Sequence, residues 1–305
     1  MKISVIVPFR EADEITNRCI DSIKNQITLP HEIITVSERE FSSEGVKNIT
    51  ISPCGPGVKR NMGAKHATGD ILFFVDSDAL LFEDAVFHIE KLMVFLGDMA
   101  VMSGAIVAPK DGGILNFIIQ AEYEYRLSQM GNGEVNVFAT TCVAIRKRAF
   151  ESVDGFREIS TKTAIGEDWD MSARMKEKGH KFWHNDMIKV RHYSSPKLLK
   201  YFKEQYLHSR YRVFHSRKYP KQKDEYTPKA RVIQPLLWLG IPFVAIFVFP
   251  LLWFYLFLMF ACNIYSIARI TDKYGVKMLL LFPISFIRSF FWLIGAMTGY
   301  VGGWK

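Results

Sequence analysis

Cysteine is scarce and scattered. Cys19, Cys54, Cys142 and Cys262 are spread along 305 residues with no paired spacing, which excludes a disulfide framework and a cysteine metal knuckle and reads as reduced thiols. The chain has no internal repeat and no low-complexity segment, so neither a solenoid nor a disordered tract is expected. No apolar leader precedes the first strand-like run, Ile3 to Val7; the expectation is that there is no secretory signal and that the N-terminal domain is cytosolic. Charge is absent from Leu236 to Ile264, a stretch longer than the about 20 residues that cross a bilayer. A buried helix bundle of soluble type is the competing account, and the length of the uncharged run tells against it.

That run contains Pro242 and Pro250, so it reads either as one kinked span or as two shorter helices turning at Pro250. Arg269 to Lys277 follows as a polar loop, and Met278 to Val301 is apolar again except for Arg288. A charge at that depth must face protein, water or a headgroup, which favours a tilted or interfacial helix over a full span. Trp238, Trp253, Trp292 and Trp304 suit anchoring at the interface. Upstream lies a basic stretch, Lys197 to Arg231, with eleven Lys or Arg against the three acids Glu204, Asp224 and Glu225, an excess equal to the net charge of +8. Beside a membrane segment that bias marks the cytoplasmic side and attracts anionic headgroups. Nucleic acid is therefore a poor explanation of a pI of ≈ 9.2. Leu198, Leu199, Phe202, Tyr206 and Val213 give the stretch a partly amphipathic pattern that could lie on the membrane surface, a solvated linker being the alternative.

The N-terminal part has a different character. Ile3 to Val7 reads as a strand, Ile15, Cys19, Ile20 and Ile23 fall on one side of a helix, and Ile33 to Val36 reads as a second strand, the pattern of a parallel α/β sheet. Leu72 to Val75 is a further buried strand, and Asp76-Ser-Asp78 is the turn at its C-terminal edge, where open α/β sheets bind ligands. Two carboxylates so close repel unless a cation lies between them, and hard cations such as Mg²⁺ take oxygen ligands together with substrate phosphates. This points to a metal–phosphate site; a solvated turn is the plainer alternative. Between the strands, Pro53-Cys-Gly-Pro-Gly57 feeds a helix near Val58 with Lys59 and Arg60 at its start. Cations there run against the helix dipole, which suggests a shared anionic ligand or, more simply, a solvated pair. Farther on, Glu167 and Asp168 open a helix that ends near Gly179; acids at that position are good helix-start chemistry in their own right. His192, after the strand-like Ile188 to Arg191, is either a metal or phosphate ligand or a surface histidine.

Three segments together, Ser4-Val-Ile-Val-Pro-Phe-Arg-Glu11, Gly55-Pro-Gly-Val-Lys-Arg-Asn-Met-Gly-Ala64 and Gly69-Asp-Ile-Leu-Phe-Phe-Val-Asp-Ser-Asp78, resemble family 2 glycosyltransferases in order and spacing. These are inverting enzymes of the GT-A fold, an α/β nucleotide-diphospho-sugar transferase fold with a Rossmann-like mixed sheet flanked by helices. The resemblance implies that Pro8 and Glu11 line a nucleotide pocket and that Lys59 and Arg60 approach the nucleotide or its diphosphate. Asp76 would face the ribose or a metal, Asp78 would bind the metal, and His192 would complete that site. Glu167 belongs to the donor site and Asp168 would be the general base. The cofactor implied is Mg²⁺ or Mn²⁺. Val36-Ser37-Glu38 departs from the acid pair the family often carries there, with Glu38 as the substitute. Phe138 to Arg146 and the short helix after it match the acceptor side, where Thr140 and Thr141 could line the sugar pocket. Glu204 to Tyr211 lacks the Gln-x-x-Arg-Trp motif of processive relatives, which implies a single addition.

The expected organisation is a catalytic domain over 1–195, a basic juxtamembrane segment over 196–232 and multi-pass membrane helices over 233–305. The expected donor is a nucleotide-diphosphate sugar and the expected acceptor a lipid-linked or cell-envelope glycan, with membrane lipids as a further partner. A nucleotidyltransferase on a related sheet, or a membrane scaffold that keeps only the fold, are the two rival readings.

Overall fold

Ile3–Pro8 forms strand β1, and every residue in it is buried. The computed structural model describes residues 1–158, 165–193, 197–222 and 229–301; Trp304 and the acids Asp224 and Glu225 lie outside them. Helix α1 (Glu14–Lys24) follows, capped by Asp13, which accepts from the Thr16 amide, and it buries Cys19, Ile20 and Ile23. Strands β2 (Glu32–Ser37) and β3 (Val46–Thr50), helix α2 (Pro56–His66) and strand β4 (Ile71–Val75) come next. β1 lies between β2 and β4, parallel to both, and β3 extends the sheet beyond β2. The chain thus leaves β1 to one side and returns on the other, and ligands of such sheets bind beyond the strand ends at that switch point. Those ends are Pro8 and the Asp76–Asp78 turn.

The rest of the sheet is mixed. It comprises β5 (Ala79–Leu81), helix α3 (Ala85–Phe95), β6 (Met99–Val107), helix α4 (Ile114–Ser128), β7 (Gly133–Val135), β8 (Cys142–Arg146), helices α5 (Lys147–Ser152) and α6 (Glu167–Glu177), and β9 (Lys181–His192). The order is β3-β2-β1-β4-β8-β6-β9-β5, with β7 also on β9. β8 runs antiparallel to β4 and to β6, whereas β6 and β9 are parallel. The core forms where aromatic side chains of this sheet meet the flanking helices: Phe74 packs on Phe150 and Phe156 with centroids 5.5 Å away in each case. Gly63 lets α2 lie on β1, because a Cβ there would come within 2.4 Å of Ile6 Cγ2. All four cysteines are free.

The described residues divide into two compact units, one comprising 1–109, 127–158, 165–193 and 222, the other 110–126, 197–221 and 229–301. The second unit holds most of α4, then α7 (Leu198–Lys218), α8 (Lys229–Leu237), α9 (Ile241–Phe247), α10 (Leu252–Ala261), α11 (Ile264–Tyr274) and α12 (Leu281–Val301). α7 buries Tyr201, Phe202, Gln205 and Ser209, a face rotated from the expected one, since Leu199 is exposed. The partner is α12, whose Gly295 and Gly299 leave room for the α7 backbone: a Cβ on either would approach Tyr206 O or Arg210 O within 2.4 Å.

Several expectations for the tail change. The uncharged run breaks at Val248, where the backbone turns to φ −140 and ψ 43, and is interrupted earlier by a short 3-10 turn at Trp238–Gly240. The polar loop expected at Arg269 to Lys277 is largely helix α11. Its polar residues occupy one side of an amphipathic pattern whose other side buries Ile267 and Ile270. Among the described residues one helix, Val276–Val301, is long and apolar enough to cross a membrane; α10 and α11 would make a second only if their 50° bend counts as one span. Arg288 faces protein: it is buried and donates to both carboxylate oxygens of Glu122 at 2.6 and 2.9 Å, and to Tyr201 Oη at 3.2 Å. Among the tryptophans, Trp253 is exposed and Trp292 is buried, donating to Gln205 Oε1 at 3.1 Å.

Gly63→Val, which forces a branched side chain against Ile6, is expected to destabilise the sheet unit by about 1–3 kcal/mol. A lowered thermal midpoint by intrinsic fluorescence is the result to look for; an unchanged midpoint would mean that α2 can shift off β1.

Candidate functional site

β4 ends in a run of five buried residues, and the chain turns as soon as the apolar stretch is exhausted. Asp76 N–H donates to Thr141 O at 3.3 Å, and Ala79 N–H turns back to Asp76 O at 3.0 Å. The Asp76 carboxylate meets the guanidinium of Arg60, Nη2 to Oδ1 at 2.6 Å, and the other terminal nitrogen of Arg60 donates to Glu167 Oε1 at the start of α6. Arg60 is 1% exposed, and its Nε has no hydrogen-bond partner among the described atoms. Its guanidinium lies 5.6 Å from the centre of the Phe156 ring. One buried cation therefore joins the end of the central strand to the first residue of α6.

Two glycines make the approach possible. Gly57 opens α2 beside Glu167, where a Cβ would meet Glu167 Oε2 at 3.1 Å and Phe156 Cβ at 3.2 Å. Gly166, the residue before α6, is left-handed at φ +92, a conformation that most side chains disfavour. α6 is then fastened from its interior by Arg174, which donates to Asp170 Oδ2 at 2.7 Å, to Gly155 O at 2.8 Å and to Val153 O. Asp168, half-buried, takes the Trp169 amide on Oδ1 at 2.8 Å. Its charge is felt by both Arg60 and Glu167.

On the far side of the Asp76–Asp78 turn, β5 folds back antiparallel on β9 with Ala79 opposite His192. The Tyr193 amide donates to Asp78 O at 2.8 Å, and His192 Nε2 lies 3.3 Å from Asp78 Oδ1. Arg18 of α1 closes over Tyr193, Nη2 to Oη at 3.1 Å. The β1 loop is tied to β2 by Phe9 N–H to Val36 O at 3.0 Å and Glu38 N–H to Arg10 O at 2.9 Å. Glu38 pairs with Lys59 at 2.5 Å. Pro8 is buried at the end of β1 and Glu11 is exposed in the loop beyond it.

Lys59 and Arg60 are thus not a solvated surface pair: both are buried and hold carboxylates. The expectation that they contact a diphosphate directly meets the same geometry, since Arg60 is enclosed and already engaged at both terminal nitrogens. The three-ligand set expected from Asp76, Asp78 and His192 is not assembled. Among the described residues no group of three His, Cys, Asp or Glu side chains is placed to hold an ion by itself, and the Asp76 carboxylate is paired with Arg60. Asp78 and His192 remain as a pair, and such a pair fits a cation of the Mg²⁺ type, which takes one or two protein ligands and completes its shell with water and substrate phosphates.

The charges around Arg60 act on one another. Burial opposes the charge of Arg60, but Glu167 and Asp76 outweigh it and raise its pKa above the ordinary arginine value. Burial pushes the Glu167 carboxyl up; Arg60 works in the other direction, and Asp168 and Asp76 add to the rise. Three carboxyl groups thus act on one guanidinium. The buried thiol of Cys19 is raised by burial first and then by Asp78 and Asp76, so it is inert. At Glu38 the hydrogen bond from Lys59 holds the carboxyl below its usual range. Phe156, Asp170 and Arg174 escaped the sequence reading. The Asp170–Arg174 spacing of one helical turn was a visible signal, whereas nothing local marks Phe156.

The family described as glycosyl transferase family group 2 matches residues 71–302. That range includes Asp76, Asp78, Glu167, Asp168 and His192, and leaves Pro8, Glu11, Glu38, Lys59 and Arg60 ahead of it. The O-antigen chain rhamnosyltransferase RfbN of Salmonella typhimurium is 27% identical over 213 residues, which are 63% of this chain and 66% of that protein. The poly(ribitol-phosphate) beta-glucosyltransferase of Bacillus spizizenii is 34% identical over 103 residues, 28% of this chain and 16% of that protein. The chain therefore spans just under two thirds of the first relative and a small part of the second. In fold, it is similar to the mannosyltransferase PcManGT from Pyrobaculum calidifontis, solved with GDP-Man and Mn²⁺, at a TM-score of 0.59 and 15% identity over 98% of this chain and 87% of that one. It is also similar to residues 1–349 of TarS from S. aureus, at 0.50 and 15% over 99% and 92%.

Arg60→Met would leave Asp76 and Glu167 without their cation and is expected to lose about 3–5 kcal/mol of stability at neutral pH. Part of it should return on acidification. A carboxyl whose folded pKa is raised binds a proton in the fold that the unfolded chain has released, so its contribution to stability falls as pH rises above the ordinary carboxylate value. Urea titrations of the variant at pH 5 and pH 7 check this, and an equal loss at both would mean that Glu167 is not held up by burial.

Proposed function

This chain belongs to the glycosyl transferase family group 2, and we propose that it moves one sugar, with inversion, from a nucleotide-diphosphate donor to an acceptor hydroxyl. The observation that carries the reading is the single guanidinium of Arg60 between Asp76 and Glu167. It holds the strand end proposed to receive the donor and the helix start proposed to carry the base as one block.

In this reading Asp168 is the general base. Half-buried at the positive end of α6, it takes the proton of the acceptor hydroxyl as that oxygen attacks the anomeric carbon, and inversion needs no covalent intermediate on the enzyme. Glu167 beside it is engaged with Arg60 and serves to set the angle of α6. Pro8, Glu11 and Glu38 border the nucleotide, and Lys59 fixes Glu38 rather than reaching for phosphate. Asp78 and His192 would hold a divalent cation, Mg²⁺ or Mn²⁺, which when bound offsets the charge of the departing diphosphate. The fold neighbour solved with GDP-Man and Mn²⁺ supports a divalent ion in a sheet of this kind.

A lipid-linked or cell-envelope glycan is the acceptor class, supported by the O-antigen and poly(ribitol-phosphate) substrates in the names of the two relatives. The absence of a Gln-x-x-Arg-Trp motif between Glu204 and Tyr211 supports single addition. Residues 1–195 form the catalytic part in this reading, and the basic segment and apolar helices after it attach the enzyme to the cytoplasmic face of a membrane, where nucleotide sugars and lipid carriers meet.

The purified chain in detergent, offered a panel of nucleotide sugars with Mg²⁺, Mn²⁺ or EDTA, is expected to release one nucleoside diphosphate in a metal-dependent manner. Asp78→Ala should abolish that release. Asp168→Asn should retain donor binding by calorimetry while turnover falls about 10²–10⁴-fold. Turnover unchanged in Asp168→Asn would reassign the base, and a wild-type chain that binds no nucleotide would overturn the activity itself.

A further inference from the structure

Length and composition single out Val276–Val301 as a helix able to cross a bilayer, but its neighbour argues otherwise. α12 and α7 run side by side in the same direction. Tyr201 Oη meets Arg288 at 3.2 Å near one end, Gln205 meets Trp292 Nε1 at 3.1 Å, Ser209 Oγ donates to Trp292 O at 2.6 Å, and Tyr206 Oη meets Thr298 Oγ1 at 3.1 Å. Arg217 reaches Tyr300 O at 2.5 Å at the other end. The glycine contacts at Gly295 and Gly299 bring the two backbones together along the same seam. α7 carries the exposed cations Lys200, Lys203, Arg217 and Lys218, with Arg210 half-exposed and Arg212 turned over the Trp292 ring of α12. If α12 crossed the hydrocarbon with α7 packed on it, these cations would be carried to membrane depth, where each is costly.

The outward side of α12 has the opposite character. Ile287, Phe290, Ile294, Met297 and Val301 are exposed and recur at alternating steps of three and four, so they form one stripe. The same unit exposes Phe243, Ile246, Trp253, Phe254 and Phe257 on α9 and α10. Exposed apolar area on this scale marks a partner surface. Together, an apolar stripe on one helix and a row of cations on the helix beside it match the cross-section of an anionic bilayer surface, with acyl chains below and phosphates above.

We propose that the α7–α12 pair lies in the plane of an anionic membrane leaflet, with the α12 stripe among the acyl chains and the α7 cations at the phosphates, and that α12 does not cross. This rests on the membrane attachment in the function proposed above and replaces the multi-pass arrangement expected from the sequence. The Arg288–Glu122 pair then has a plain purpose: it satisfies the one charge on α12 from within the protein, so the buried side of the helix needs no water.

The experiment uses the full chain with Cys54 and Cys262 replaced by serine, carrying Val276→Cys at one end of the helix or Tyr300→Cys at the other. An impermeant maleimide is added to intact spheroplasts and to inverted membrane vesicles. Neither position should react from outside, and both should react in inverted vesicles. Reaction of either one from outside means a crossing helix and overturns the proposal, as does failure of both in inverted vesicles. In a second arm the unsubstituted chain is mixed with vesicles of phosphatidylcholine alone or with about a third phosphatidylglycerol. Binding should favour the anionic vesicles and fall at least about tenfold in the triple variant Lys200→Gln, Lys203→Gln, Arg217→Gln, whose donor binding by calorimetry should be unchanged. Equal binding to both vesicles, or no binding together with a stable dimer, overturns it in favour of a purely apolar contact or a second copy. Donor binding is measured separately in detergent, so failure here is distinct from failure of the glycosyl-transfer reading.

Discussion

The site depends on a buried guanidinium with more than one carboxylate to satisfy. Placing Arg60 beneath the surface is tolerable only because Asp76 and Glu167 accept from its two terminal nitrogens, and the carboxylates are tolerable there only because Arg60 is between them. This mutual requirement ties together elements distant in sequence: α2, the end of β4 and the start of α6. Much of the local geometry follows from it. Gly57 must lack a side chain for α2 to begin beside Glu167, Gly166 must turn left-handed to deliver Glu167 inward, and the Arg174 staple holds α6 once it is there. Asp168, next in the chain, is positioned as a consequence.

Several carboxyl groups gather around that cation. Arg60 neutralises one carboxylate, and Asp76, Glu167 and Asp168 are near it. On the other side of the turn Asp78 faces His192, because β5 folds back upon β9 and brings the strand ends together. In the proposed reading, a divalent cation at Asp78 and His192 would offset the charge of a diphosphate donor.

The second unit has a different surface. Its helices expose many apolar side chains, and the one charge on α12 is answered by Glu122 and Tyr201. Hydropathy along the chain registers α12 as a spanning candidate because it averages over the helix and ignores what is packed against it. That the basic stretch lies against α12 appears only when the two helices are seen together.

Much was legible in the residues alone. The parallel β1-β2-β4 arrangement, the helices after β1 and at Gly57, the acid turn at Asp76 and the helix start at Glu167 each carry a local pattern, because periodicity and turn chemistry act over a few residues. Membership of the glycosyltransferase family and its GT-A fold followed from three such patterns in order. What sequence could not decide was pairing. That Arg60 would turn to Asp76 and Glu167 rather than to a ligand, that Arg288 would find Glu122 and that α12 would lie along a cationic helix are all contacts between residues far apart in the chain. Each was settled by which partner lay within reach once the backbone had packed, and burial then made that choice binding, because a charge removed from water must be answered by whatever neighbour the fold provides.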